Sequence, residues 1–219
     1  MKNKDLERVL DEHVKPVVER TIQKYIGVSI KELNKDITEK LKKNPLIEFN
    51  IDTNLPLKIA RKAFRKRYLE RLLKSNFGDI SAVAKICEVD RKTIHRMIIE
   101  LDININECRK ALLKPEYVKM EALSSAIEET LKHYDKLLHP EKLSEVYKNV
   151  DKMSENILKE FSFNWPSLKN AENNFEKDFI EKAVEENKGN VSATARILKI
   201  RYETLYRKIK ELRIEINRP

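Results

Sequence analysis

The chain has 219 residues, which is enough for one large domain or two small ones. Its 3 Gly and 7 Pro residues among many Leu, Ile, Lys and Glu predict a mostly helical protein, and its net charge of +9 permits binding to nucleic acid or to an acidic membrane surface. No apolar run approaches the roughly 20 residues that a membrane span needs, so we expect no membrane partner and a cytoplasmic location.

The sequence of the first 54 residues predicts a helical segment, which we expect to act as a scaffold or in dimerisation. The stretch ERTIQKY at 19–25 is followed by a second helical pattern. The same order returns later in the chain, where EETLKHY at 128–134 also precedes a helical pattern. This weaker similarity suggests that a duplication extends into the region 107–164, which we interpret as a helical connector.

Residues 55–106 predict a three-helix unit. The apolar residues Ala60, Phe64, Tyr68 and Leu72 recur every four positions and form one stripe of a long helix. This helix stops near Gly78, where a left-handed cap is favourable for glycine. Asp79 or Ser81 is the candidate N-cap of a short helix, and a tight turn then leads into a last helix at about 91–101.

The connector 107–164 carries two apolar stripes, one from Met120 to Leu138 and one from Leu143 to Phe161. Their apolar residues step by three or four positions, which is typical of amphipathic helices. Pro115 and Pro140 suit the first turns of these helices. The stripes either pack against the N-terminal helices or hold two chains together.

The last part of the chain, 165–219, repeats the three-helix unit without a gap at an offset of 111 positions. The identical pairs include Phe64 with Phe175, Gly78 with Gly189, Ala84 with Ala195, Thr93 with Thr204 and Arg96 with Arg207. We call residues 57–103 the first segment and residues 168–214 the second segment. The first segment has 12 Lys/Arg against 6 Asp/Glu and the second has 11 against 8, so together they hold the whole net charge of +9.

The spacing of the short and last helices is that of a helix-turn-helix. Ala84 and Ala195 are small, as a close crossing of the two helices requires. The turn position that usually holds glycine is occupied by Glu88 and Lys199. We therefore expect a left-handed residue there at a cost of about 1 kcal/mol.

Both segments resemble the C-terminal DNA-binding domain of the NtrC class of bacterial activators and the nucleoid protein Fis. The resemblance runs over about 47 residues twice and includes the box GDISAVA or GNVSATA after a long helix. It implies an all-α protein with two tandem Fis-like helix-turn-helix units, joined and preceded by amphipathic helices. It also implies a dimer that places two recognition helices on one side of DNA, either as an internal pseudo-dimer or as a homodimer. The chain has no Walker A sequence, so we do not expect a complete activator of this class.

The resemblance also implies roles for the start of each last helix. Arg91 lies where the family directs an Arg towards bases, and Thr93 and Arg96 lie at phosphate-contacting positions. In the second segment Tyr202 replaces that Arg, so we expect the first, more basic segment to do more of the sequence reading. The candidate DNA-binding residues are Asp90, Arg91, Lys92, Thr93, His95, Arg96, Arg201, Tyr202, Thr204, Tyr206, Arg207 and Lys208.

No residue pattern indicates catalysis. The four histidines form no zinc-binding motif, and Cys87 and Cys108 lack metal-ligand spacing. We therefore expect no enzymatic activity, no metal and no cofactor. The favoured function is a sequence-preferring double-stranded DNA-binding transcription regulator on the nucleoid, with RNA polymerase or another regulator as a further partner. The alternatives are a nucleoid-type DNA bender and a protein-interaction adaptor that no longer binds DNA.

Overall fold

A computed structural model of the protein describes residues 15–23, 31–110, 115–134, 140–160 and 164–214. Every regular element in these ranges is a helix, which confirms the predicted all-α class. None of the helices in the described ranges is both long and apolar enough to cross a membrane. In chain order the helices are α1 (15–23), α2 (Lys31–Lys42), a 3-10 turn (Pro45–Ile47), α3 (Leu57–Ser75), α4 (Ile80–Cys87), α5 (Arg91–Glu100), α6 (Ile105–Lys110), α7 (Pro115–Lys132), α8 (Pro140–Glu160), α9 (Leu168–Glu186), α10 (Val191–Ile197) and α11 (Tyr202–Glu211).

Residue contacts divide the chain into two compact units, and each unit is built from two separate stretches. Unit 1 combines Met1–Glu48 with Lys114–Trp165, and unit 2 combines Phe49–Leu113 with Pro166–Pro219. Of the four parts described along the sequence, the first and third thus lie mostly in unit 1, and the second and fourth lie mostly in unit 2. Both the first and the second segment lie in unit 2.

Unit 1 has an apolar core to which α1, α2, α7 and α8 all contribute. The core side chains include Val17, Val18, Ile22, Leu33, Ile37, Leu41, Leu123, Ile127, Leu131, Val146, Val150, Met153 and Ile157. The two stripes of the connector thus pack against the N-terminal helices within one chain. Leu138, Phe161 and the side chain of Leu143, which the sequence places on the same stripes, lie outside the described residues.

The same backbone hydrogen bonds recur in the two segments of unit 2. After α3, the N–H of Gly78 donates to the carbonyl of Leu73 at 2.7 Å. After α9, the N–H of Gly189 donates to the carbonyl of Val184 at 2.9 Å. The two glycines have φ angles of 72° and 76°, a left-handed conformation that only glycine adopts without steric cost. A Cβ added at Gly78 would also lie 2.5 Å from Cγ of Arg109.

A side-chain cap begins the short helix of each segment. Oδ1 of Asp79 accepts hydrogen bonds from the N–H groups of Ser81 and Ala82 at 2.8 and 3.1 Å. Oδ1 of Asn190 accepts a hydrogen bond from the N–H of Ala193 at 3.0 Å. Asp79 and Asn190, rather than the serines two residues later, are therefore the N-caps of α4 and α10.

The turn after each short helix contains a residue in the left-handed conformation, as predicted from the sequence. Glu88 and Lys199 have φ angles of 56° and 52°. A residue other than glycine in this region strains the backbone by about 1–2 kcal/mol. Ala84 and Ala195 are buried beside the turn, and their small side chains let the two helices of each pair approach closely.

Helices α3 and α9 pack against each other through aromatic rings. The rings of Phe64 and Phe175 stack with their centroids 4.4 Å apart and an angle of 12° between their planes. Phe49 adds a T-shaped contact to Phe64 with a centroid distance of 5.6 Å. Phe64 and Phe175 are equivalent residues of the two segments, so the two segments contact each other through the same aligned position.

Polar contacts lie beside this ring stack. Nε of Arg65 lies 2.5 Å from Oε1 of Glu172, which joins α3 to α9. The N–H of Leu57 at the start of α3 donates to the carbonyl of Leu198 at 3.0 Å, which joins the first segment to the end of α10. The two segments are thus held together by a buried ring contact, a charged hydrogen bond and a backbone hydrogen bond.

We predict that Phe64→Ala lowers the free energy of unfolding by about 3–5 kcal/mol, because it removes a fully buried ring at the contact of the two segments. Urea denaturation followed by circular dichroism measures this change. The matched control is Phe77→Ala, which removes a ring that is 50% exposed and should change stability by less than about 0.5 kcal/mol. Equal losses for the two variants would contradict the central role of the ring stack.

We predict that Glu88→Gly raises the free energy of unfolding by about 0.5 kcal/mol. The glycine relieves the left-handed strain, and its greater freedom in the unfolded chain offsets part of that gain. The control is Lys85→Gly within α4, which should lower the free energy of unfolding by about 1 kcal/mol. Thermal unfolding of both variants checks the prediction, and a lower stability of Glu88→Gly than of the parent would refute it.

Candidate nucleic-acid interface

The last helix of each segment has one buried face and one exposed face. Ile94 and Ile98 anchor α5 in the core of its segment, and Leu205 and Ile209 anchor α11. Because an α-helix repeats every 3.6 residues, the side chains on the opposite face of each helix point away from the core. The predicted DNA-binding residues are distributed over these exposed faces and the residue before each helix.

In the first segment, nearly all the predicted residues reach the surface. Asp90, Arg91, Lys92, His95 and Arg96 are exposed, and Thr93 is half-buried. Among the described residues, none provides an ion-pair partner for the cationic side chains of Arg91, Lys92 or Arg96. Their positive charge is therefore available to an anionic ligand.

In the second segment, the predicted residues divide into two groups. Arg201, Tyr202, Tyr206 and Arg207 are exposed, whereas Thr204 and Lys208 are half-buried. Nζ of Lys208 lies 2.7 Å from Oε1 of Glu176, a carboxylate whose side chain is 8% exposed. Lys208 thus compensates a buried charge on α9, which makes it the weakest DNA-contact candidate. Nε of Arg207 lies 3.8 Å from Oε1 of the exposed Glu211, and such surface pairs contribute little.

Two residues on these faces were missed by the sequence reasoning. Ile99 and Lys210 occupy equivalent positions, four residues after His95 and Tyr206. The side chain of Ile99 is 80% exposed. Nζ of Lys210 lies 4.7 Å from the centroid of the Tyr206 ring. The four-residue spacing was the signal that could have found them.

The charge of unit 2 is distributed unevenly over its helices. Helix α3 carries 8 Lys/Arg and 1 Glu, whereas α9 carries 3 Lys against 6 Asp/Glu. The remainder of the first segment, 76–103, has 4 basic and 5 acidic residues, and the remainder of the second, 187–214, has 8 and 2. The first segment is thus the more basic one, as counted from the sequence, but its excess charge lies on α3, and the part that contains α4 and α5 is less basic than the part that contains α10 and α11.

The two cysteines are buried, whereas His95 and His133 lie at the surface. Cys87 and Cys108 are free and buried, and burial raises the pKa of the Cys87 thiol to about 12, so this thiol stays protonated near neutral pH. No cluster of potential metal ligands occurs within the described ranges. His95 is exposed on α5, and His133 Nδ1 lies 3.0 Å from the Glu129 carbonyl.

Comparison with known proteins finds a family match within the second segment. Residues 173–212 match the family model described as bacterial regulatory protein, Fis family. No curated protein and no solved structure matches the chain. The matched residues contain most of α9 and all of α10 and α11. This part of the chain is therefore similar to the helix-turn-helix domain of Fis-family bacterial regulatory proteins.

Proposed function

We propose that the protein is a sequence-preferring double-stranded DNA-binding transcription regulator that reads the major groove with α5 and α11. The observation that carries this proposal is the match of residues 173–212 to the Fis family of bacterial regulatory proteins. A helix-turn-helix lays its second helix in the major groove, with the N-terminal residues of that helix towards the base edges. In α11 those residues are exposed.

The first segment is proposed as a second copy of the same domain. Its three helices have 19, 8 and 10 residues, against 19, 7 and 10 in the second segment. Both segments have left-handed residues at the same aligned positions, including Glu88 and Lys199. A shared pattern of backbone strain and hydrogen bonds supports a common origin more strongly than helix content does.

The two copies are proposed to form an internal pseudo-dimer. In a contact related by a two-fold axis, equivalent residues meet at the axis. Phe64 stacks on its equivalent Phe175. Arg61 lies 3.8 Å from its equivalent Glu172, measured from Nη2 to Oε2. In a pair of identical first segments Arg61 would face a second Arg61, so the substitution of Glu at the equivalent position favours pairing of the first segment with the second.

In this proposal the exposed residues have separate roles. Arg91 donates to O6 and N7 of a guanine, which discriminates by about 1–3 kcal/mol. Arg96 and Arg207, with the hydroxyls of Thr93 and Thr204, contact phosphates and set the position of the helices on the duplex. Several such contacts release counterions, so affinity should fall steeply as salt rises.

One observation favours a second candidate function for the first segment. Residues 76–103 have a net charge of −1, and the side chain of Ile99 on α5 is 80% exposed. A weakly acidic surface with an exposed aliphatic residue suits a protein partner better than a phosphate backbone does. In that case the first segment is an adaptor for RNA polymerase or another regulator, and α11 alone binds DNA.

We predict different effects of two arginine substitutions, measured by fluorescence anisotropy with preferred and scrambled duplexes over a salt series. Arg91→Ala should weaken binding to the preferred duplex and relax discrimination, because it removes a base contact. Arg207→Ala should weaken both duplexes about equally and reduce the salt slope by about 1, because it removes a phosphate contact. If Arg91→Ala binds every duplex like the parent while Arg207→Ala does not, the adaptor function of the first segment is favoured.

We predict that one chain binds one duplex of about 25 base pairs, which is long enough for two half-sites about 10 base pairs apart. The second reader then binds at a high effective concentration without a second molecule. Light scattering of the protein with and without the duplex gives the stoichiometry. A stable particle of two chains on one such duplex would refute the internal pseudo-dimer and leave DNA binding intact.

A further inference from the structure

The exposed face of α11 carries an aromatic and cationic stripe. Tyr202, Tyr206 and Lys210 are spaced four residues apart and therefore follow one another along the helix. The two rings stack with centroids 6.1 Å apart and an angle of 15° between their planes. Nζ of Lys210 lies 4.7 Å from the centroid of the Tyr206 ring, within the range of a cation–π interaction. We call these three residues the tyrosine stripe.

The rings of the tyrosine stripe are not part of the core. Tyr202 is 46% exposed and Tyr206 is 42% exposed, while Leu205 and Ile209 on the other face of α11 fill the core. A tyrosine has only two side-chain torsions, and each ring here is further restrained by its stacked neighbour. The two rings are thus an ordered apolar part of the stripe and are exposed to solvent.

The first segment presents different chemistry at the equivalent positions. There the equivalent residues are Arg91, His95 and Ile99, so a guanidinium and an imidazole replace the two phenol rings. All three positions are also exposed in α5. Two recognition helices with the same backbone therefore present unlike surfaces to a ligand.

We propose that the tyrosine stripe reads thymine through the C5 methyl group, so that the protein recognises a site with two unlike halves. The inference rests on the proposed function. The major-groove edge of a base pair offers hydrogen-bonding groups and one apolar group, the thymine methyl. Apolar rings gain from contact with that methyl, whereas they leave the donors and acceptors of the other base edges without partners. The half-site under α5 is read through Arg91 and carries guanine.

The test uses a duplex that the full-length protein selects from a random pool. Thymidine is then replaced by deoxyuridine in one half-site at a time, which removes only the methyl group and keeps base pairing. We expect affinity to fall about fourfold for each contacted methyl, which corresponds to about 0.8 kcal/mol, and only in one half-site. Tyr202→Ala or Tyr206→Ala should lose this sensitivity to uracil.

Two variants serve as controls. Tyr206→Phe keeps the ring and should retain the sensitivity to uracil. Tyr117→Ala removes a tyrosine of α7 that is 49% exposed in unit 1 and should bind like the parent. Because both rings of the stripe are exposed, the alanine variants should keep the thermal midpoint of the parent, which circular dichroism checks.

The possible outcomes separate the inference from the proposed function. Equal affinity for thymine and uracil duplexes, with sequence preference and salt dependence retained, overturns the thymine reading and leaves DNA binding in place. A loss in Tyr206→Phe as large as in Tyr206→Ala also overturns it, because the hydroxyl rather than the ring then makes the contact. Absence of duplex binding at low salt overturns both. A selected site without thymine in either half overturns the thymine reading alone.

Discussion

The contact between α3 and α9 is the interaction on which the arrangement of unit 2 depends. Phe64 is fully buried against Phe175 and Phe49, so each long helix completes its core with residues of the other segment as well as with its own short helices. A three-helix segment alone has little apolar surface to bury, and small domains gain stability when a second copy covers their open side. The same contact determines where α5 and α11 lie, because each last helix is anchored to the core of its own segment.

Two similar segments in one chain can differ at equivalent positions, which two identical chains cannot do. Helix α3 is strongly basic and α9 is acidic, and Arg61 and Arg65 both approach Glu172 between them. Opposite charges at equivalent positions select the unlike pair and disfavour either like pair. The same freedom extends to α5 and α11, where Arg91 and Tyr202 occupy equivalent positions. The two segments thus differ both in the charges between α3 and α9 and in the side chains exposed on α5 and α11.

The candidate site depends on two turns in which a residue other than glycine has a left-handed backbone conformation. Glu88 and Lys199 are left-handed residues in the turns that set the angle between each pair of short and last helices. The strain is local, whereas the packing of Ala84 and Ala195 beside the turns and of Ile94 and Leu205 behind the last helices is cooperative. The buried contacts therefore maintain a turn that the local sequence disfavours, and they hold the reading helices in place.

The sequence by itself determined the helices, the turns and the exposed residues of the last helices, because these follow from apolar periodicity, glycine positions and caps that act over a few residues. It also determined the equivalence of the two segments, since an offset of 111 positions needs no coordinates. Only the tertiary structure decided that Phe64 meets Phe175, that Lys208 compensates Glu176, and that the connector stripes are covered by the N-terminal helices. These pairings join residues far apart in the chain, and periodicity specifies which face of a helix is apolar but not which helix covers it.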